Sequence, residues 1–260
     1  MNTITSKDNQ YLKLARSLQQ KKGRMASGCF LAEGLRLCGE ALLTGISVRF
    51  GLVAEDASDA VSALAAEFVS AGVAMYRVSP GLMAGISDTE HSQGIALVAE
   101  MRDHAALPEN GSCYALCDGV ADPGNMGAIF RSAYAAGVSG LILSPGCADP
   151  YNPKTVRSAM GALFRLPFYR ASSQEEAAEI AKRLNLAVYV TAMDGKDIRE
   201  MSGELKQPHM WVMGSEACGV SDFWREHAAG AVALPMREGA ESLNVAAAAT
   251  VLFYQSFFVK

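Results

Sequence analysis

The stretch "LPMREGAESLNVAAAATVLFY" (Leu234–Tyr254) runs from the end of an apolar strand, through a polar loop, into an alanine-rich helix. Pro235 opens the loop, Gly239 permits a turn, and Ser242 is a natural N-cap for the helix. Capping does not account for Glu241 or Asn244. Asn244 falls in the first turn, where free N–H groups also suit an anion or a ligand oxygen. The alanines that follow allow close helix packing.

The same strand–loop–helix unit recurs upstream. "SCYALCD" (112–118) reads as a buried strand, and "NMGAIFRSAYAAG" (125–137) as a helix ended by Gly137. "GLILS" (140–144), "AVYVTAM" (187–193), "HMWVMG" (209–214) and "GAVALP" (230–235) are further apolar strands. "KTVRSAMG" (154–161), "SQEEAAEIAKRL" (173–184) and "SDFWREHA" (221–228) are helices between them. Short continuous apolar strands alternating with helices predict a largely parallel, doubly wound α/β sheet. Ligands in such sheets sit at the carboxyl ends of the strands. Three loops therefore matter most: Gly119 to Asn125, Gly214 to Ser221, and Leu234 to Asn244.

Towards the N-terminus, "SKDNQYLKLARSLQQKK" (6–22) reads as an amphipathic helix. "CFLAEGLRLCGEALLTG" (29–45) is a strand and a helix ended by Gly45, and "VRFGLVAE" (48–55) is a strand. "ASDAVSALAAEFVSAG" (57–72) is a helix closed by Gly72, and "GIALVAE" (94–100) a final strand. The polar break "EMRDHAALPENGS" (100–112), with Pro108 and an Asn-Gly turn, marks a domain boundary.

Composition narrows the function classes. Half of the 260 residues are apolar, enough for a packed core. The net charge of −4 hides an asymmetry: residues 1–50 carry eight basic and three acidic groups, +5, against −9 for the rest. An anion-facing N-terminal module and a solvated helix face are both consistent with this. The six cysteines form no CxxC pair, which argues against a zinc site or a disulfide framework. The start of the chain is polar, and the apolar run Val245–Val259 is interrupted by Thr250, Gln255 and Ser256. We therefore expect a cytoplasmic protein with neither signal peptide nor membrane span.

Single motifs are weak. Gly119 to Gly124 has the GxxxxG spacing of a phosphate loop, but Asn125-Met126 replaces Lys-Ser/Thr. No GxGxxG follows a strand, which disfavours a nicotinamide oxidoreductase. Taken alone, Asn125 reads as a cap, Arg131 as a salt-bridged helix residue, and Ser221 as the N-cap after the second loop.

Together the three loops resemble the signature motifs of the SpoU (TrmH) family of SPOUT RNA ribose methyltransferases. "NMGAIFR" is similar to the first, through Asn125, Gly127 and Arg131; "GSEACGVSD" to the second, through Gly214, Glu216 and Gly219. "LPMREGAESLNVAAA" is similar to the third, through Pro235, Met236, Ser242, Leu243, Asn244 and Val245. "DPYNPKTVRSAMGALFRLP" (149–167) and "GCFLAEGLRLCGEAL" (28–42) extend the resemblance over nearly the whole chain. Ala246 departs from it, because many members carry Ser there.

The resemblance implies a C-terminal SPOUT domain with a parallel sheet and a deep trefoil knot, preceded by a small α/β, L30e-like domain. It places an RNA substrate-binding domain at 1–100, a linker at 101–111 and the methyltransferase domain at 112–260. It implies a homodimer that uses S-adenosylmethionine to methylate a ribose 2′-hydroxyl, with 23S rRNA first among substrates. A tRNA substrate and a non-catalytic RNA-binding member are the alternatives. The catalytic set carried over is Arg131, Asn125, Glu216, Ser242 and Asn244. Gly214, Leu234, Pro235, Met236, Gly239 and Leu243 are carried over as cofactor contacts. For Arg131 two roles stay open: the base, or a cation that holds phosphate and acidifies the hydroxyl. The basic residues Lys21, Lys22, Arg24 and Arg157 are the candidate RNA contacts.

Overall fold

The computed structural model describes residues 1–88, 92–102, 106–239 and 242–259. The chain divides into two compact units. The first comprises Met1–Arg102 together with Asp149–Phe164; the second comprises Asp103–Ala148 and Arg165–Lys260. The excursion 149–164 into the first unit is not visible in a single cut of the sequence.

The first unit begins with β1 (Asn2–Ile4), α1 (Gln10–Ser17), α2 (Lys21–Ser27), β2 (Cys29–Glu33) and α3 (Leu35–Thr44). It continues through β3 (Val48–Ala54), α4 (Asp59–Ser70), β4 (Met75–Val78), α5 (Pro80–Ala84) and β5 (Ile95–Glu100). Its five strands pair in the order β1-β4-β3-β5-β2. The β1, β4 and β3 pairings are parallel, and β5 runs antiparallel to both β3 and β2. The one long amphipathic helix expected over 6–22 is two helices, because Ser17 to Gln20 breaks it. Gly28 and Gly45 end α2 and α3 in left-handed conformations, which spare the steric cost a Cβ would bring.

Arg24 corrects the expectation of a surface RNA contact. Its side chain is 2 % exposed. Its Nε and Nη2 donate to Asp149 Oδ2 at 3.1 and 2.6 Å, and its Nη1 donates to the carbonyls of Leu18 and Gln19. A buried guanidinium survives only when its charge and its donors are met, and here both are. Arg24 thus ties the segment starting at Asp149 to the α1–α2 corner. Lys21 and Lys22 on the same helix are exposed.

The second unit comprises β6 (Cys113–Asp118), α6 (Pro123–Ala135), β7 (Gly140–Leu143), β8 (Phe168–Arg170), α9 (Gln174–Arg183) and β9 (Ala187–Asp197). The helices between β7 and β8 are α7 (Pro153–Ala159) and α8 (Ala162–Arg165). The chain ends with β10 (His209–Gly214), α10 (Asp222–His227), β11 (Gly230–Ala233) and α11 (Val245–Val259). The six strands are parallel throughout, in the order β11-β9-β10-β6-β7-β8. This is the doubly wound sheet that the apolar strands predict. Tyr114, Leu116, Ile142, Met210, Val212 and Trp224 form the centre of one core cluster in this unit.

The polar interruptions of the last helix have structural partners. Ser256 is buried, and its Oγ accepts from Trp211 Nε1 at 2.9 Å and lies 2.8 Å from His209 Nε2. Thr250 Oγ1 lies 2.7 Å from Ser132 Oγ on α6. These bonds dock α11 on β10 and α6 in a fixed register. Among the described residues no helix is long and apolar enough to cross a membrane.

Replacing Arg24 by Ala should lower unfolding stability by about 3–5 kcal/mol, because it removes the cation paired with a nearly buried Asp149 carboxylate. Denaturant titration measures this; a loss below about 1 kcal/mol would contradict a buried pair.

Candidate active site

A cavity of about 500 Å3 opens at the carboxyl ends of β10 and β11, beside the middle of β9. Its lining includes Met213 to Glu216 and Gly219 after β10, and Leu234, Met236 and Ser242 to Val245 after β11. Thr191, Ala192 and Met193 form a further wall. That wall exists because β9 bulges. Ala231 pairs with Val190, but the next residue, Val232, pairs with Lys196. The five residues between leave the ladder and stand beside the cavity. Gly195 makes the return possible, since a Cβ there would lie 2.5 Å from the Val232 nitrogen.

Gly214 is equally constrained. It pairs with Asp118 at the end of β6, and a Cβ on it would meet the Gly219 carbonyl carbon at 2.0 Å. The second loop closes on itself there: Ser215 and Gly219 exchange backbone hydrogen bonds at 3.0 and 2.9 Å. Asp118 holds the loop's far end. It is buried and accepts from the Ser221 nitrogen at 2.8 Å and from Gln174 Nε2 at 2.7 Å. Ser221 sits at the start of α10, but its side chain makes no cap bond; its Oγ is buried without a partner among the described residues.

The three loops meet through one chain of side-chain hydrogen bonds. Asn244 Oδ1 accepts from the backbone nitrogens of Ala246 and Ala247 at 3.0 and 3.3 Å. Asn244, not Ser242, therefore caps α11; Ser242 is instead an exposed residue of the cavity lining. With its oxygen engaged, Asn244 donates from Nδ2 to Asn125 Oδ1 at 2.9 Å. Asn125 in turn donates from Nδ2 to Glu216 Oε1 at 2.6 Å. Asn125 is not the cap of α6; Asp122 is, accepting from the Asn125 nitrogen at 2.8 Å. The amide orientations are set in sequence from the helix end to the Glu216 carboxylate.

The other candidates fall into distinct places. Gly214, Leu234, Met236 and Leu243 line the cavity; Pro235 and Gly239 are exposed beside it and do not. Arg131 is exposed on α6, outside the cavity lining, and makes no hydrogen bond or ion pair with a described residue. The salt-bridged state that its sequence context suggests is absent among the described residues. Arg157 lies in the first unit, its Nη1 2.6 Å from Asp88 Oδ2. Glu241 lies outside the described residues. The sequence reading missed Thr191 to Met193 as a wall, because a bulge is set by pairing with β11 and leaves no local signal. Two cysteines near the β6 end are disfavoured as nucleophiles: burial pushes the Cys147 thiol up to about 11, and Cys117 is raised well above its ordinary value by the same cause.

Comparison with known proteins follows this geometry. The sequence model of the SpoU rRNA Methylase family matches residues 112–254, and that of the MRM3-like substrate binding domain matches residues 9–97. The chain is 33 % identical to the 23S rRNA (guanosine(2553)-2′-O)-methyltransferase RlmP of Bacillus subtilis (strain 168), over 98 % of each. It is 31 % identical to the 23S rRNA (uridine(2479)-2′-O)-methyltransferase of Streptomyces viridochromogenes, over 97 % of this chain and 91 % of the relative. Among solved structures, the SpoU methyltransferase AviRb from Streptomyces viridochromogenes in complex with AdoMet superimposes with a TM-score of 0.85 at 28 % identity, over 96 % and 97 % of the two chains. The AdoMet-bound rRNA methyltransferase from Sinorhizobium meliloti gives 0.83 at 30 %, over 98 % and 97 %.

Gly214→Ala should abolish closure of the second loop, since the clash is with backbone that has nowhere to move. Calorimetric titration with S-adenosylmethionine should then show at least a tenfold weaker complex; unchanged affinity would mean that the loop does not shape the cavity.

Proposed function

The chain belongs to the SpoU rRNA methylase family, and from that premise we propose that it transfers the methyl group of S-adenosylmethionine to a ribose 2′-hydroxyl of 23S rRNA. The carrying observation is the convergence of Asn125, Glu216 and Asn244 beside a cavity at the carboxyl ends of parallel strands. The full-length relatives add the substrate. They modify different nucleosides, a guanosine and a uridine, but the same ribose oxygen.

The cavity fits such a cofactor. Met193, Leu234, Met236 and Leu243 offer apolar surface for an adenine ring. The backbone groups of Met236 and Leu243 make no hydrogen bond with a described residue, so they remain open to a ligand. Gly214, Leu234, Met236 and Leu243 are the contacts we assign, with Pro235 and Gly239 shaping the loop. The cofactor, when bound, supplies an electrophilic methyl group on a sulfonium.

The chain's own residues supply alignment and charge. Ser242, Asn244 and Asn125 position the ribose, and such positioning carries much of the rate of an in-line displacement. A guanidinium is a permanent cation with a fork of donors suited to phosphate oxygens. We assign Arg131 to a phosphate of the target strand, where its charge also acidifies the hydroxyl. Exposed and without a partner among the described residues, it is available for this.

The first unit serves as the RNA substrate-binding domain, with Lys21 and Lys22 as phosphate contacts. Arg157 joins them only by leaving Asp88; Arg24 is excluded by its burial. The second unit is a knotted, homodimeric SPOUT domain. Exposed Val251, Phe257 and Phe258 on α11 and Tyr134 on α6 support a partner face. The protein works in the cytoplasm, on RNA.

Labelled methyl transfer from S-adenosylmethionine to unmodified 23S rRNA, digested to nucleosides, should yield one 2′-O-methylnucleoside. Label confined to tRNA would overturn the substrate. Arg131→Ala should lower turnover at least about 100-fold with cofactor affinity unchanged; near-normal turnover removes Arg131 from the site. Replacing Lys21 and Lys22 by Glu should weaken RNA binding and flatten its salt dependence, leaving cofactor affinity intact. Equal loss of both affinities, or of neither, contradicts this division.

A further inference from the structure

Resting on the reading of the first unit as an RNA-binding domain, we propose that Arg36 and Arg157 form a phosphate site for the RNA substrate, and that the Asp88 carboxylate occupies it until RNA arrives.

The site is a cavity of about 190 Å3 within the first unit, lined by Glu33, Arg36, Gln93, Arg157 and Met160 among others. Arg36 comes from the start of α3, and Arg157 from the end of α7 in the excursion 149–164. Gly161 lets the two helices approach: a Cβ there would lie 2.8 Å from Cγ of Glu40, one turn along α3 from Arg36. Two guanidiniums from distant parts of the chain thereby line one small space.

Arg36 has no structural use for its charge. It is exposed, and no described residue binds it. It stands in the first turn of α3, at the positive end of the helix dipole, and that turn carries no acid to offset it. The helix gains nothing from a cation there, whereas an incoming anion gains from both the charge and the dipole. Gln93 adds a neutral donor. Its Oε1 accepts from the Leu35 nitrogen at 2.8 Å, which turns Nε2 away from the helix, and no described residue takes that donor.

The present occupant is a carboxylate. Asp88 Oδ2 lies 2.6 Å from Arg157 Nη1. Glu33 holds Asp88 in place: its Oε2 accepts from the Asp88 nitrogen at 3.2 Å and its Oε1 from the Ser87 hydroxyl. Both Glu33 oxygens are thus spent on that segment. The Arg157–Asp88 pair is partly exposed, 32 % and 42 %, so solvent screens it and exchange is cheap. A phosphodiester carries the same single charge but offers two non-bridging oxygens, so it can bridge both guanidiniums where the carboxylate takes one. Arg36 and Gln93 also line an adjoining cavity of about 590 Å3, room for the nucleoside attached to that phosphate. Asp88 then acts as a filter, since only a strand that also reaches Arg36 gains by displacing it.

The test is filter binding of unmodified 23S rRNA over a range of salt to wild type, Arg36→Ala, Asp88→Asn, Arg157→Gln and the Asp88→Asn/Arg157→Gln double variant. Cofactor affinity by calorimetry and thermal melting run alongside, and neither should change in the first two variants. Arg36→Ala should weaken RNA binding about tenfold and lower the slope of log affinity against log salt by about one, the mark of one lost phosphate contact. Asp88→Asn keeps the shape and drops the charge; it should tighten RNA binding about two- to fivefold, the worth of a partly exposed ion pair. On the Arg157→Gln background the same change should bring no gain, which separates a local competitor from general repulsion. Arg36 and Asp88 are exposed, so their variants carry the test even where Arg157→Gln melts early. Unchanged affinity or salt slope in Arg36→Ala, a loss matched by early melting of that variant, or weaker binding by Asp88→Asn overturns the inference alone. So does an equal gain from Asp88→Asn with and without Arg157. A wild-type chain that binds S-adenosylmethionine but no 23S rRNA overturns the RNA-binding reading and this inference with it.

Discussion

The free N–H groups at the start of α11 are the constraint from which the site is built. Two of them bind Asn244 Oδ1, which leaves Asn244 only its Nδ2 to offer. That donor fixes Asn125, and Asn125 fixes Glu216. Orientation thus passes from a helix end, across three loops, to a carboxylate on the cavity wall. An amide has one donor end and one acceptor end, so a chain of two amides has only one self-consistent direction. No metal or covalent link is needed to hold the loops in register.

Behind this chain stands a second, buried support. Asp118 at the end of β6 takes the Ser221 nitrogen and Gln174, and Gly214 pairs with it across the sheet. The second loop is therefore held at the front by Glu216 and at the back by Ser221. The third loop is held by α11, which Thr250 and Ser256 dock on α6 and β10. Rigid elements carry the loops, and the loops carry the chemistry, which is the usual division in parallel α/β sheets.

Much of the fold was legible in the sequence, for local reasons. The strands of the parallel sheet are continuous apolar runs, and Gly45, Gly72 and Gly137 all take positive φ near the helix ends they mark. Some short elements were not legible: β1, β4 and β8 span three or four residues each and, unlike the equally short β7 and β11, are not continuous apolar runs. Neither was anything that depends on distant partners. Arg24 reads as a surface cation until Asp149, 125 residues away, is placed beside it. Ser242 reads as the cap of α11 until Asn244 is seen to take that place. The convergence of the three loops was reached through family resemblance, because no single motif specified it. The structure supplies the physical link that the resemblance leaves out.

The central claim is that Asn244, Asn125 and Glu216 act as one unit. A double-mutant cycle on the single-turnover methyl-transfer rate, with Asn244→Ala, Glu216→Ala and the combined variant, measures this directly. If the chain is a unit, the double variant will be little slower than the slower single variant, because breaking either end already releases the rest. Fully additive losses would show that the two residues act independently, and would contradict the account.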